Sequence, residues 1–448
     1  MTARFVPPCP PRPPGPVAAW RGLIGERGRT AVHGWSEQAF RLDGFSRNVL
    51  GFRVHVVTHP DWIAEAMLDH AAVLTKPDIT RRLLAPVIGE GLLTAEADLW
   101  RTERRIVAAS FAPSAIDRLQ PMFAEVAQTI TEGWRDGEVR DLALDSTEAT
   151  MRVIARSLFG NDPRLTSGES VRHISNALGS FSQRRLQAVL GLPLVPIGAK
   201  ARAGARGQRF LRDTLAATVD DRLAGKADDW LATLVRALTE QFGREEGRRL
   251  AIDNAATFYL AGHETTANAL AWTLYLLGEQ PKLQEELADE AASAYARTGW
   301  TGPGLAARVP RLAAALQEAM RLYPPVPRFD RQARADVRIG DLIVRTGDIV
   351  SIWPWLLHRH HKWWDEPDTF VADRFLTGDR HRYQYIPFGA GPRICVGMQF
   401  AMTEALSILI PWLARWRFRS LGIPVRPSGL VTLRPAPGVP LRLERRAG

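Results

Sequence analysis

Apolar residues recur at helical spacing through most of the chain. From about residue 96 to residue 325 they return every three or four positions, which predicts a succession of amphipathic helices. The predicted helices cover residues 100–111, 115–135, 146–159, 206–223, 228–242, 245–277, 281–295 and 310–323. The helix over 245–277 is much longer than its neighbours, and Gly278 and Pro281 mark its end.

Strand signals are short and few. Residues 52–58 alternate apolar and polar side chains as a half-buried strand does, and residues 337–344 do so around a glycine–aspartate turn. Residues 354–394 show no clear period, whereas residues 396–416 return to a helical pattern. We therefore expect a mainly α protein with small β-sheets, an α+β class.

The beginning of the chain differs from the rest. Residues 1–18 are rich in proline, which predicts an extended arm rather than a helix. No repeat of fixed length and no linker-like break follows this arm. Residues 19–448 are therefore expected to form a single domain.

Composition narrows the protein class. The chain has 448 residues, 58 basic and 48 acidic, for a net charge of +10, and only two cysteines, Cys9 and Cys395. Two cysteines provide neither a disulfide framework nor a cysteine-rich zinc site. No signal peptide or apolar span is recognisable, so we expect a soluble cytoplasmic protein without a membrane anchor. The scattered arginines give little support to nucleic-acid binding and better suit an acidic protein partner or a solvated surface.

One cysteine lies in a glycine-rich loop that leads into an apolar helix. The segment 388–397 reads FGAGPRICVG and places Cys395 at the start of the helix predicted over 396–416. Its three glycines permit positive φ angles and close approach of the backbone to a flat ligand. Arg393 and the helix N-terminus favour the thiolate over the thiol. A single thiolate suits a haem iron better than zinc, and a buried structural cysteine is the alternative.

These ten residues match, at every specified position, the haem-thiolate loop of the cytochrome P450 family. The chain thus resembles that family, whose fold has a long central helix over a haem and the cysteine loop on the other side. The resemblance implies that Cys395 is the axial ligand of haem b, that Arg393 pairs with a propionate and that Phe388 packs near the sulfur. The other cofactor-contacting residues that it implies in this loop are Gly389, Gly391 and Gly397.

A glutamate and an arginine share a helix face outside this loop. Glu318 and Arg321 stand at i and i+3, and such a pair is most often a solvated ion pair. The resemblance assigns both to a buried structural triad that Arg374 completes. The match around Arg374 is looser, since Ala372 and Asp373 stand where the family usually has a proline.

Trp100 and Arg104 also share a helix face, at i and i+4. Ordinary helix packing is the alternative explanation of this spacing. The resemblance, together with the preceding segment 89–94, implies that both side chains hold a haem propionate. Arg331 is a third candidate for that role.

A polar cluster interrupts the longest predicted helix. Residues 261–266 read AGHETT, and helix propensity disfavours a glycine and two adjacent threonines at this place. A threonine hydroxyl can bond back to the carbonyl four residues earlier and bend the helix. The resemblance implies that Glu264 and Thr265 form the catalytic acid–alcohol pair that supplies protons for O–O cleavage, and that Ala261 lies against the haem. His263 is expected to be structural.

The resemblance implies a haem-thiolate monooxygenase of bacterial type that acts on a hydrophobic fatty acid, terpenoid or aromatic metabolite. The residues expected to line its pocket are Leu84, Phe181, Phe258, Ala261, Val326, Phe329 and Leu433. A peroxide-driven peroxygenase, a rearranging member of the family and a non-catalytic haem-binding protein are the alternatives. The first two need no proton relay from solvent.

No flavin or ferredoxin segment follows the last helix, so electrons are expected from NAD(P)H through a separate ferredoxin or flavodoxin with its reductase. On the helix of Trp100 and Arg104, Arg101 and Arg105 share a different face and are the expected docking patch for this acidic donor. We expect a monomer.

Overall fold

Helices dominate the computed structural model, which describes residues 5–17, 30–49, 51–166, 173, 187, 194–297, 300–429 and 431–446. The helices are α1 (Pro60–Ala64), α2 (Asp78–Ile88), α3 (Ala97–Ala108), α4 (Pro113–Glu132), α5 (Leu142–Leu158), α6 (Pro163–Thr166), α7 (Ala199–Leu223), α8 (Trp230–Phe242), α9 (Arg244–Gly278), α10 (Pro281–Tyr295), α11 (Leu305–Arg308), α12 (Pro310–Leu322), α13 (Pro354–Leu357) and α14 (Met398–Arg415). No helix in the described part of the chain is both long and apolar enough to cross a membrane.

The strands are short and form four small sheets. They are β1 (Gly44–Val49), β2 (Phe52–Val57), β3 (Leu74–Thr75), β4 (Val139–Asp141), β5 (Phe329–Ala333), β6 (Val337–Ile339), β7 (Leu342–Val344), β8 (Ile349–Ile352), β9 (Trp416–Ser420), β10 (Arg426–Ser428), β11 (Arg434–Ala436) and β12 (Pro440–Arg445). The largest sheet has the order β1-β2-β8-β5-β3, in which only β2 and β8 pair in parallel. The others are β4-β12-β9 and the hairpins β6-β7 and β10-β11.

The chain forms two compact units. The first consists of Met1–Thr75, Asp117–Ala149 and Glu264–Gly448, and it includes all the strands in the described residues. Its largest sheet packs on an apolar cluster that includes Val57, Ile63, Met67, Leu74, Val350, Ile352, Leu357 and Ile386. The second unit consists of Lys76–Ile116 and Thr150–His263, and its described residues form helices without a strand.

The prediction of a mainly helical protein with small sheets is confirmed. The helix predicted over 245–277 is α9, and the helix predicted over 281–295 coincides with α10. Helix α2 is absent from the prediction because Pro86 interrupts its helical signal. Strand β1 is also absent, since most of its side chains face outward and carry no apolar alternation.

The proline-rich arm is held by its main-chain carbonyl groups. Residues 5–17 form neither helix nor strand. The carbonyl oxygen of Phe5 accepts a hydrogen bond from the amide of Phe370 at 3.0 Å, and that of Pro8 accepts one from the hydroxyl of Tyr323 at 2.7 Å. Proline has no N–H to donate, so the carbonyl oxygen is the polar backbone group that a proline offers.

Glu318 and Arg321 form a fully buried ion pair on α12. Arg321 Nε donates to Glu318 Oε2 at 2.7 Å, and its Nη2 donates to Oε1 at 2.8 Å. Neither side chain has any exposed surface. Arg374 Nε reaches the same Oε1 at 3.1 Å, so the structure brings the three residues of the expected triad together.

Arg321 also fixes the backbone of a distant loop. Its Nη1 donates to the carbonyl oxygens of His358 and Pro367, each at 2.6 Å, and its Nη2 donates to that of Thr369 at 3.0 Å. Burial and the neighbouring arginines keep the pKa of His358 well below its usual value, so the ring is neutral. Its Nε2 can then accept the amide N–H of Ile386 at 2.9 Å. The ion pair thereby anchors the segment that leads to the cysteine loop.

Replacing Glu318 by glutamine should lower the free energy of unfolding by about 3–5 kcal/mol, because the buried charge of Arg321 loses its partner. Urea denaturation followed by circular dichroism measures this loss. Arg248→Gln, which breaks the exposed Arg248–Asp220 pair, is the matched control and should move the midpoint little. Equal shifts in the two variants would contradict the prediction.

Candidate functional site

Two of the three glycines in the cysteine loop have left-handed backbones. Gly389 has a φ of 78° and Gly391 a φ of 66°. A Cβ atom on Gly391 would also lie 2.0 Å from the carbonyl oxygen of Met67. Both the backbone angle and this contact therefore exclude a side chain at Gly391. Gly397 has a φ of −87° and precedes α14. Any residue could adopt this backbone, so the freedom to take a positive φ is used at Gly389 and Gly391 and not at Gly397.

The loop presents its cysteine at the entry to α14. The amide of Cys395 donates to the carbonyl oxygen of Phe388 at 2.9 Å, which closes the loop. Cys395 is exposed, whereas Phe388 and Arg393 are partly buried. Arg393 lies in the 3₁₀ turn Gly391–Arg393, two residues before the cysteine. Cys395 is thus an accessible thiol that follows Arg393 by two residues and precedes the N-terminus of α14.

Helix α9 is buried along most of its length and accessible at one place. Between residues 251 and 278, Ala261 is exposed, Gly262 and Thr265 are partly exposed, and the remaining residues are buried. Ala261 and Thr265 stand at i and i+4, so they share a face. The residues singled out from the sequence therefore include those that a ligand on this helix can reach.

The glycine of this segment serves helix packing. A Cβ atom on Gly262 would lie 2.4 Å from Cδ1 of Ile154 on α5, so glycine allows these helices to approach closely. His263 is 4% exposed, and its Nδ1 lies 2.8 Å from the carbonyl oxygen of Tyr259. Thr150 donates to the carbonyl of His263 at 2.8 Å. His263 is thus a buried residue that is bonded to its own helix.

Glu264 meets two partners that the sequence does not indicate. Arg434 Nε donates to Glu264 Oε1 at 2.5 Å, and the hydroxyl of Thr432 donates to the same oxygen. These partners follow 168 and 170 residues later in the chain, which no local pattern could reveal. The side chain of Glu264 is 11% exposed and that of Arg434 is 46% exposed. The carboxylate is therefore nearly buried, with a cation that reaches solvent.

Helix α3 separates its basic residues onto different faces. Trp100 and Arg104 are partly buried, whereas Arg101 and Arg105 are exposed. Arg101 pairs with Asp98 one turn earlier, so part of its charge is balanced within the helix. Both pairs of residues lie in the second unit.

A carboxyl group lies buried on the same helix. Glu103 has no exposed surface, and its Oε1 accepts a hydrogen bond from Asn254 Nδ2 at 2.7 Å. Its Oε2 has no hydrogen-bond partner among the described residues. Burial raises the pKa of Glu103 to about 8, and Asn254 offsets only part of this effect. The sequence does not mark Glu103, because it stands among charged residues that are typical of a solvated face.

The remaining expected site residues occupy varied surroundings. Arg331, on β5, is 8% exposed, and its Nη1 donates to the carbonyl of Asp330 at 2.9 Å. Phe258 stacks on Phe111 with ring centroids 5.5 Å apart. The partly buried pocket candidates are Leu84, Val326 and Phe329.

Two other pocket candidates need separate mention. Leu433 is fully buried, so its side chain belongs to the core of the first unit rather than to an accessible surface. Phe181 lies outside the described residues.

The donor chemistry fits a haem better than a bare metal ion. The described residues contain no cluster of three histidine, cysteine, aspartate or glutamate side chains that could hold an ion. An iron held in a macrocycle needs only one axial ligand from the protein, and the exposed Cys395 supplies a thiol. Arg393 and the nearly buried Arg331 provide cations of the kind that propionates require.

Residues 37–439 match the family model described as Cytochrome P450. Cytochrome P450 714A2 of Arabidopsis thaliana is 28% identical over 440 residues, covering 91% of this chain and 82% of the relative. Cyclooctatin synthase of Streptomyces melanosporofaciens is 29% identical over 395 residues, covering 86% and 85%. The 11-oxo-beta-amyrin 30-oxidase of Glycyrrhiza uralensis is 29% identical over 441 residues, covering 92% and 82%. Plant and bacterial relatives are thus equally similar, and a bacterial type is not established.

The stability of the protein should fall between pH 5 and pH 8 because of Glu103. The unfolded chain releases this proton near pH 4.5, whereas the folded protein keeps it until about pH 8. Folding between these two pH values takes up a proton. The free energy of unfolding therefore decreases as pH rises, by roughly a few kcal/mol. Urea denaturation at pH 5, 6, 7 and 8 measures it. Glu103→Gln is neutral throughout and should give a flatter profile; parallel profiles would contradict the prediction.

Proposed function

The chain belongs to the cytochrome P450 family and is a cytochrome P450 monooxygenase, and from that premise we propose that it hydroxylates a hydrophobic small molecule, with a haem that the Cys395 thiolate would hold. The overall reaction consumes substrate, O2, two electrons and two protons, and yields hydroxylated substrate and water. The exposed thiol at the entry to α14 is the observation that carries this proposal.

Five of the residues singled out from the sequence would hold the haem. Cys395 would supply the thiolate, while Arg393 and Arg331 would pair with propionates, as would Trp100 and Arg104 through their N–H groups. When bound, haem supplies the iron at which O2 is activated and one oxygen atom is transferred to the substrate. The chain itself contributes the charge balance, the dry surroundings and the protons.

Glu264 and Thr265 perform the proton transfer. Glu264 accepts a proton at its carboxylate on the side where Arg434 meets solvent. The hydroxyl of Thr265, one residue later on α9, is partly exposed and can both accept and donate a proton. An acid followed by an alcohol at the accessible face of a buried helix supports this assignment.

The substrate is proposed to be terpenoid-like, with a fatty acid or an aromatic metabolite as other members of the same apolar class. Relatives named cyclooctatin synthase and 11-oxo-beta-amyrin 30-oxidase support a small-molecule substrate of this kind. The partly buried Val326 and Phe329 offer the apolar surface that such a molecule needs.

The electrons come from NAD(P)H through a ferredoxin or flavodoxin and its reductase. Arg101 and Arg105 on the exposed face of α3 support an acidic donor, because opposite charges steer association. Since Asp98 already pairs with Arg101, Arg105 carries more of the proposed attraction.

The reduced, carbon-monoxide-bound protein should show the red-shifted Soret band of thiolate-ligated haem. Cys395→Ser should lose this band, because a hydroxyl is a much weaker donor to iron than a thiolate. Cys9→Ser is the matched control and should retain it, since Cys9 lies in the proline-rich arm. A red-shifted band in Cys395→Ser would overturn the thiolate assignment.

Thr265→Ala should separate reductant consumption from product formation. Reductant use is expected to continue while product per reductant falls about tenfold and hydrogen peroxide appears, because the proton-donating hydroxyl is lost. Within the described part of the chain, the hydroxyl of Thr273 bonds only back to Ala269 on the same helix, at 2.7 Å, so Thr273→Ala should keep the native ratio. An unchanged product yield in Thr265→Ala would refute the proton-transfer role.

A further inference from the structure

Glu264 is held from a distant part of the chain, by Thr432, which precedes β11, and by Arg434, the first residue of that strand. We propose that the segment Thr432–Arg434 positions the carboxylate of Glu264 for proton transfer, and that Trp272 fixes this segment in place. The inference rests on the proposed function of Glu264, and it assigns to Thr432, Arg434 and Trp272 the part of positioning residues.

The spacing of the two partners explains how they reach one oxygen. Thr432 ends a bend and Arg434 begins β11, with Leu433 alone between them. Thr432 and Arg434 both donate to Oε1 of Glu264, whereas Leu433 between them is fully buried. The segment thus directs its polar side chains to the carboxylate and its apolar side chain into the core.

The backbone of Leu433 is anchored on both sides. Its N–H donates to the carbonyl oxygen of Pro325 at 2.9 Å, and its carbonyl oxygen accepts a hydrogen bond from Trp272 Nε1 at 3.1 Å. Trp272 lies eight residues after Glu264 on α9, about 12 Å further along the helix. The same helix therefore carries the carboxylate and the donor that fixes its partners.

Trp272 is itself held in one orientation. Its ring stacks on that of Tyr323, with centroids 3.7 Å apart and planes 8° from parallel. Both rings are fully buried, and the hydroxyl of Tyr323 donates to the carbonyl oxygen of Pro8 at 2.7 Å. A buried stacked pair of this kind has few alternative rotamers, so the indole N–H stays directed at Leu433.

The contact with Arg434 suits a group that exchanges protons. A hydrogen bond from a guanidinium is strong when its acceptor is charged and weaker when the acceptor is neutral. Proton uptake by Glu264 therefore loosens its bond to Arg434 and frees the carboxyl to turn. Because the side chain of Arg434 is 46% exposed, this exchange takes place at the border of the solvent.

The turnover test uses substitutions that preserve shape or charge. Arg434→Gln and Thr432→Val should each lower product per reductant at least threefold with a matching rise in peroxide, while KM stays within twofold. Arg434→Lys should restore most of the yield, because it returns the cation. Trp272→Phe keeps a stacked ring but removes the donor, and should lower the yield less than Arg434→Gln does. Arg426→Gln, an exposed arginine on the neighbouring strand β10, should match the native protein.

A second measurement does not depend on turnover. In the haem-loaded protein, the urea midpoints of Glu264→Gln, Arg434→Gln and the double variant form a thermodynamic cycle. A contact predicts that the double variant shifts the midpoint by less than the sum of the single shifts. Additive shifts would overturn the positioning role, whatever the turnover result.

The outcomes separate this inference from the proposed function. If Glu264→Gln lowers the yield while Arg434→Gln and Thr432→Val leave it native, Glu264 acts without the segment and the inference is wrong. If Glu264→Gln leaves the yield unchanged, the proposed role of Glu264 fails, and with it the positioning for proton transfer, although a non-additive cycle would still establish the contact.

Discussion

The buried ion pair of Glu318 and Arg321 is the interaction on which the rest of the first unit depends. Two charges without any exposed surface are tolerated because every donor of Arg321 is matched to an oxygen. Some of these oxygens belong to main-chain carbonyls, including that of His358. The ring Nε2 of His358 in turn accepts a hydrogen bond from the amide of Ile386. The position of Cys395 thus depends, through a few hydrogen bonds, on this buried pair of charges.

The buried carboxyl groups of this protein differ in what surrounds them. Glu318 forms ion pairs with two arginines, Arg321 and Arg374. Glu103 and Glu404 are buried and form no ion pair with the described residues, and burial raises the pKa of each, that of Glu404 well above its usual value. Glu264 differs from all three, since it is nearly buried but bonded to the half-exposed Arg434. Among these groups it combines a defined position with access to solvent.

Much of this architecture follows from local sequence. The long helix α9 ends where Gly278 and a following proline stop it, and apolar periodicity locates most of its neighbours. The cysteine loop can also be predicted from the sequence, since Gly389 and Gly391 adopt backbone angles that other residues avoid. The partners of Glu264 could not be found in this way, because their side chains meet it only after the chain has folded. The burial of Glu103 was hidden for the same reason, since it depends on a helix about 150 residues away.

The arm at the start of the chain has a consequence for the order of events during synthesis. Residues 5–8 bond to Tyr323 and Phe370, which are translated more than 300 residues later. The ribosome therefore releases the arm long before its binding surface exists, and the arm can dock only when most of the chain has emerged. Contacts between such distant residues close late and slow the final step of folding. The docking of this irregular segment therefore follows the folding of the residues that it contacts.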